Sequence, residues 1–259
     1  MNNLPKYFDI HSHLNFSDYD LDREQVINRL KETSTHTITV GTDFESSKRA
    51  VDLADKHEEI YACIGIHPVD DSAQQFRISD FEPLISHPKV VAIGECGLDF
   101  FHADKSTDYD RQEKLFLDQI TFAIIHNKPI MIHARDAYKE ILEILESLKE
   151  VHKNRLRGNV HFFAGNLDFA KRFFDIGFTV SFTGVITFTR DYDEVIKSAP
   201  ISMIMSETDA PYVAPVPYRG QRNEPSYVSR VVKRIAEIQE EDEEIVKVAL
   251  VSNAFSMIG

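Results

Sequence analysis

The chain is 259 residues long and carries 42 Asp and Glu against 29 Lys and Arg, a formal charge of −13. A protein that grips many phosphates along a duplex is basic, so extended duplex binding is disfavoured, whereas a phosphate-bearing substrate held by local positive charge remains compatible. No apolar run approaches the roughly 20 residues of a membrane helix, residues 1–6 lack the apolar core of a signal peptide, and only two cysteines, Cys63 and Cys96, are present, so we expect a cytoplasmic protein without a membrane partner.

Tyr7-Phe8-Asp9-Ile10-His11 reads as a first strand, followed by a helix from about residue 22 with Val26, Ile27 and Leu30 on its apolar stripe. Thr37-Ile38-Thr39-Val40-Gly41 is a β-branched second strand stopped by glycine, and a helix over 46–57 follows it. A third strand over 61–68 ends in His67 before a chain-turning proline, and a helix over 79–85 leads to Val90-Val91-Ala92-Ile93-Gly94-Glu95. A long amphipathic helix over 108–126 precedes Pro129-Ile130-Met131-Ile132-His133, and the fifth helix, over 137–152, has Ile141, Leu142, Leu145 and Leu148 at 3–4 spacing. Asn159-Val160-His161-Phe162 and residues 178–182 give strands six and seven, with helices over 167–175 and 191–198. The eighth strand spans 201–207, and 225–259 forms a helical tail. Eight apolar strands alternating with helices, without a linker or repeat, predict one α/β domain over 1–259: a (β/α)8 TIM barrel, with an open doubly wound sheet as the alternative.

The strand ends favour the barrel. His11 and His13, His67, Glu95, His133, His161, and Glu207 with Asp209 all fall at or just past the ends of apolar runs. In a closed barrel those ends meet around one mouth. Residues two apart in a strand point the same way, which pairs His11 with His13. Imidazole nitrogens and carboxylate oxygens without a required thiolate suit zinc, magnesium or manganese. The donors are too many for one tetrahedral ion and match two divalent cations sharing a carboxylate, with Glu95 as the bridge. The expected partition is His11, His13, Glu95 and Asp209 around one ion and Glu95, His133 and His161 around the other. Asp209 is also placed to act as a base, or to cap the following helix. Glu207 reads as a weak ligand, a carboxylate orienting a histidine, or half of a buried ion pair.

Several motifs together resemble the TatD family of metal-dependent deoxyribonucleases. They are Asp9-Ile10-His11-Ser12-His13-Leu14, Gly65-Ile66-His67-Pro68, Gly94-Glu95-Cys96-Gly97-Leu98-Asp99-Phe100, Ile132-His133-Ala134-Arg135-Asp136-Ala137 and Glu207-Thr208-Asp209-Ala210-Pro211-Tyr212, in family order. Arg219-Gly220-Gln221-Arg222-Asn223-Glu224-Pro225 resembles the family's loop after the eighth strand. The resemblance implies an amidohydrolase-type barrel that hydrolyses DNA phosphodiesters from a 3′ end, acting on DNA ends or short single strands. It supports His67 as a residue touching substrate. One departure is His161-Phe162-Phe163-Ala164-Gly165, where the family usually has His-Cys-Phe-Ser-Gly.

Guanidinium forks match phosphate oxygens, so Arg135, Arg219 and Arg222 are the expected nucleotide-holding residues, each with a solvated or capping role as the alternative. Cys96 should be a small buried filler, and His57, His87, His126 and His152 should lie on the surface. The acidic run Glu240-Glu241-Asp242-Glu243-Glu244 repels nucleic acid and marks a face away from substrate. An amidohydrolase acting on cyclic amides, lactones or aminoacyl compounds suits the acidic charge as well, and a barrel retained only for binding is the reading from another class. Nothing in the sequence demands more than a monomer.

Overall fold

The computed structural model describes residues 4–70 and 75–259. Eight strands form one parallel sheet in sequential order: β1 (Tyr7–Ser12), β2 (Thr35–Val40), β3 (Ile60–Ile64), β4 (Val90–Asp99), β5 (Ile130–Arg135), β6 (Gly158–Val160), β7 (Thr179–Phe182) and β8 (Ile204–Ser206). Helices α1 (Arg23–Thr33), α2 (Phe44–Lys56), α3 (Ile78–Ile85), α4 (Lys105–Ile125), α5 (Tyr138–His152), α6 (Leu167–Asp175) and α7 (Asp193–Ser198) follow the first seven strands in turn. The expected helical tail is two helices, α8 (Val228–Gln239) and α9 (Glu243–Ile258), separated where Glu240 takes a left-handed conformation. Residues 201–203, expected as strand, form a 3-10 turn, so β8 begins later.

Parallel strands coated by helices bury both faces, and the composition shows it: β4 is buried at every position and β2 at all but one. Apolar side chains of α1 and α2 pack with Ile60, Ala62 and Ile64 of β3 in the main core. A second cluster joins Phe8, Ile38, Met131 and Met205 to Val251, Ala254 and Met257 of α9.

The seam between β8 and β1 carries a single bridge, Ser12 to Ala210, and the buried Asp9 reinforces it. Its carboxyl accepts the backbone N–H groups of His11 and Thr208 on one oxygen and shares hydrogen bonds with the hydroxyls of Thr208 and Thr37 on the other. One side chain thus ties β2, β1 and the exit of β8 together, and that exit carries Asp209.

Two glycines let β4 press against β5. Gly94 and Gly97 sit at φ +142° and +149°, and a Cβ added to them would lie 2.4 Å from the Met131 carbonyl oxygen and 2.0 Å from that of His133. Only glycine tolerates both demands. Glu95 lies between them and is thereby brought against His133.

Candidate metal centre

The strand ends do converge. Glu95 projects its two oxygens toward two sets of histidines. Its Oε2 lies 3.4 Å from His11 Nε2 and 3.8 Å from His13 Nε2. Its Oε1 lies 2.7 Å from His161 Nε2, 2.9 Å from His133 Nδ1 and 3.6 Å from His67 Nε2. Asp209 closes the first set, with Oδ1 at 3.5 Å from His13 Nε2 and 3.8 Å from His11 Nε2. His11, His13 and Asp209 come from the mouth of the seam, where the Asp209 N–H bonds the His11 carbonyl and the His13 N–H bonds that of Ala210.

Outer partners fix the rings. His13 Nδ1 bonds the Val40 carbonyl at 2.9 Å, His67 Nδ1 meets Asp70 at 2.7 Å, and His133 Nε2 meets Asp99 at 3.1 Å. Carboxylates and carbonyls behind an imidazole select its tautomer and orient it, as in metal sites generally. Asp99 also accepts the backbone N–H groups of Phe101 and His102 and meets the His102 ring. Asp99 and Asp70 were not expected to matter. The signal for Asp99 was available in its position four residues past Glu95, on the same face of a strand that continues beyond the bridge.

The electrostatics follow from burial and proximity. Burial works against ionisation of Glu95, yet the His161 and His67 rings and the contacts from His11 and His133 outweigh it and hold the carboxyl well below its ordinary range. His11 is lowered to about 4, chiefly by burial and then by His161. Burial also opposes protonation of His133, but Asp99 and Glu95 raise it to about 9. Glu207, fully buried, is pushed well above its usual value by burial and then by Asp209.

The donor set fits divalent cations. Among the described residues three trios hold ligand atoms within 4.8 Å of one another: His11, His13 and Glu95; His67, Glu95 and His133; and His11, His161 and Glu207. His11 Nδ1 and His161 Nδ1 are buried without hydrogen-bond partners, and His11 Nε2 faces His13 Nε2 at 3.3 Å. The Nε2 atoms of His11, His13 and His161 and the Nδ1 of His133 crowd around the Glu95 carboxylate, and a cluster of imidazole nitrogens and carboxylate oxygens of this kind is one that a divalent cation would satisfy. Glu207 is less a free ligand than a brace: Oε1 accepts the Phe162 N–H and lies 3.8 Å from His161 Nδ1, and Oε2 accepts the Ser181 hydroxyl at 3.0 Å.

The three arginines part company. Arg135 lines the cavity over the donors, its guanidinium 4.6 Å above the Phe101 ring. Arg219 is outside the cavity lining and stacks on Phe188 at 3.5 Å. Arg222 is corrected to a structural role: it forks onto both Asp22 oxygens, bonds the Asp18 carbonyl and lies over Tyr19. Its neighbours do the same work. Asn223 accepts the Tyr19 hydroxyl through its carbonyl, and Glu224 takes a two-pronged bond from Arg29 of α1. These consecutive residues strap the loop after β8, with Asp209 at its start, to the loop after β1.

Cys96 is buried as expected. His57, His87 and His126 are partly buried at the surface, facing the exposed acids Glu24, Asp55 and Glu82, and His152 is likewise half-buried. No helix among the described residues is long and apolar enough to cross a membrane.

Comparison with known proteins adds the lineage. The sequence profile of the family described as TatD related DNase matches residues 8–259. The "uncharacterized metal-dependent hydrolase YabD" of Bacillus subtilis is 42% identical over 238 residues, covering 90% of this chain and 91% of that protein. YcfH of Escherichia coli, named in the same way, is 30% identical over 234 residues, covering 88% of this chain and 86% of that one. The crystal structure of YjjV, a TatD homologue from Escherichia coli K12, superposes with a TM-score of 0.90 at 27% identity and covers 99% of both chains. The barrel, the order of its strand-end donors and these matches have one reading: the chain belongs to the TatD family of metal-dependent hydrolases.

Proposed function

We propose that this protein is a phosphodiesterase that removes nucleotides from DNA ends or short single strands, using two divalent cations. The observation that carries the reading is the division of Glu95, one oxygen toward His11 and His13 and the other toward His67, His133 and His161. A carboxylate shared between two donor sets would hold two cations side by side, and such a pair would supply charge stabilisation to the attacking and leaving oxygens of a displacement at phosphorus.

His11, His13, Glu95 and Asp209 would hold the first cation. Glu95, His133 and His161 would hold the second, with His67 near enough to join them or to meet a substrate oxygen. Divalent cations supply Lewis-acid polarisation of the phosphoryl oxygens and bring the acidity of a water toward neutrality. Asp209 lines the open side, so its carboxylate is positioned to take the proton of the attacking water and carry it to solvent. Arg135 lies where its fork can hold a non-bridging phosphate oxygen. Glu95 stays anionic and does not exchange protons. Glu207 holds the exit of β6 and with it His161. Zinc, magnesium and manganese all suit these donors.

One acidic feature favours a second reading. Among the described residues lining the cavity Arg135 is the only lysine or arginine, which also suits a small neutral substrate of an amidohydrolase. A panel containing single-stranded oligonucleotides, hydantoins and aminoacyl amides separates the two. The phosphodiesterase reading expects metal-dependent release of mononucleotides, seen by mass spectrometry and abolished in Asp209→Ala and His133→Ala. Turnover of the small amides alone would overturn it.

A further inference from the structure

The cavity over the metal donors encloses about 490 Å³, the size of a site for one small ligand. Its floor is polar, and the wall made by the exits of β5, β6 and β7 carries apolar and aromatic side chains beside Arg135 and Asp136. Phe162, Tyr138, Ala164, Val185 and Tyr192 line it.

Phe162 is the best placed of these. Its φ of +45° is one that bulky residues rarely adopt. Three outside contacts hold the segment there: the Phe162 N–H bonds Glu207, the Phe163 N–H bonds the Ser181 carbonyl at 2.9 Å, and the Ala164 N–H bonds the Tyr138 hydroxyl at 2.7 Å. The consequence is a division of labour along consecutive residues. His161 enters the donor cluster, Phe163 is buried in the core, and Phe162 turns its half-buried ring to the cavity. No metal chemistry requires an aromatic ring at that place.

Charge narrows what the ring is for. Against the single Arg135, the cavity lining includes Asp70, Glu95, Asp136 and Asp209. A strand cannot be held here by a row of cations on successive phosphates. Beyond the one phosphate at the metal donors, attraction has to come from contact, and every base offers a π-face to an aromatic side chain. A base locked in a duplex cannot enter a pocket of this size, whereas an unpaired terminal one can.

Resting on the phosphodiesterase reading, we propose that Phe162 is the stacking platform of a nucleobase subsite that selects an unpaired terminal nucleotide. Tyr138 and Tyr192 complete the wall. Substrate selection is therefore by stacking, tolerant of base identity and weakly dependent on salt.

The test compares two single-stranded oligodeoxynucleotides that differ only in whether the terminal residue carries its base or is abasic. Wild-type protein with manganese should show a kcat/KM for the base-bearing end higher by roughly 5- to 150-fold, the span expected for stacking one base. That ratio should fall toward one in Phe162→Leu and be restored in Phe162→Tyr. Independently of any variant, a terminal 2-aminopurine should lose fluorescence on binding wild-type protein. Equal hydrolysis of both ends, an unchanged ratio in Phe162→Leu, or an unquenched 2-aminopurine would overturn the subsite while leaving the phosphodiesterase in place. Hydrolysis of neither oligonucleotide would overturn the phosphodiesterase reading itself.

Discussion

Asp9 accepts both the backbone N–H and the hydroxyl of Thr208, at 2.8 and 2.7 Å, and so joins the first strand to the exit of the eighth. The barrel closes through this pair more than through its ladder, which has one bridge at the seam. His11 lies two residues beyond Asp9, and Asp209 follows Thr208 directly. The closure and the placement of two candidate metal donors are therefore the same act.

Truncating that link should be felt in stability and in metal retention. Asp9→Ala strands two backbone donors in the core, at about 3 kcal/mol together, which lowers Tm by roughly 6–12 °C in a domain of this size. Burial raises the Asp9 carboxyl to about 8, so it is largely neutral at pH 7, and Asn is a close mimic. Asp9→Asn should keep most of the stability and the bound metal. Thermal unfolding of the two variants, with metal content measured alongside, checks this; a loss as large in Asn as in Ala would contradict it.

Glu95→Gln removes the negative charge that both histidine sets face. Metal uptake by isothermal titration should weaken by more than about 100-fold, beyond the effect of losing an outer hydrogen-bonding partner. Asp99→Asn supplies that comparison, since Asp99 touches His133 from behind, and should weaken uptake by about 10- to 100-fold. Equal effects from the two substitutions would show that Glu95 is not shared between sites.

Arg135 and Arg222 should separate cleanly. Arg135→Ala is expected to lower kcat/KM on an oligonucleotide by roughly 10- to 100-fold, the worth of a charge-assisted bond to phosphate. Arg222→Ala should leave turnover nearly unchanged and cost about 1 kcal/mol of stability, since its pair with Asp22 is partly solvated. The Arg222 bond holds the Asp22 carboxyl below its ordinary value. A depressed carboxyl contributes stability in full above its unfolded value of about 4 and loses it as pH falls through the folded one. The stability gap between wild type and Arg222→Ala should therefore shrink in acid, as read by urea unfolding at pH 7 and below pH 4.

Much of this was legible in the chain itself. Strand-ending polar residues after apolar runs are a period-two signal, and His11, His13, His133 and His161 are all found where that signal puts them. The extension of β4 past Glu95 to Asp99 was not legible, because Gly97 in the strand's path reads as a breaker, whereas it serves here, with Gly94, as a point of close approach to β5. The fate of Arg222 was hidden too: its partner lies 200 residues earlier, and a guanidinium in a loop looks the same whether it meets a phosphate or an aspartate. Nor could alternation reveal Phe162, since a left-handed residue leaves the strand pattern and its direction is set by Glu207 from another strand.

The sharpest measurement is anomalous diffraction from crystals loaded with manganese or zinc. Two peaks are expected on either side of Glu95, one against His11, His13 and Asp209, the other against His133 and His161. A single peak that does not touch Glu95, or none at this cluster in a fully loaded protein, would contradict it.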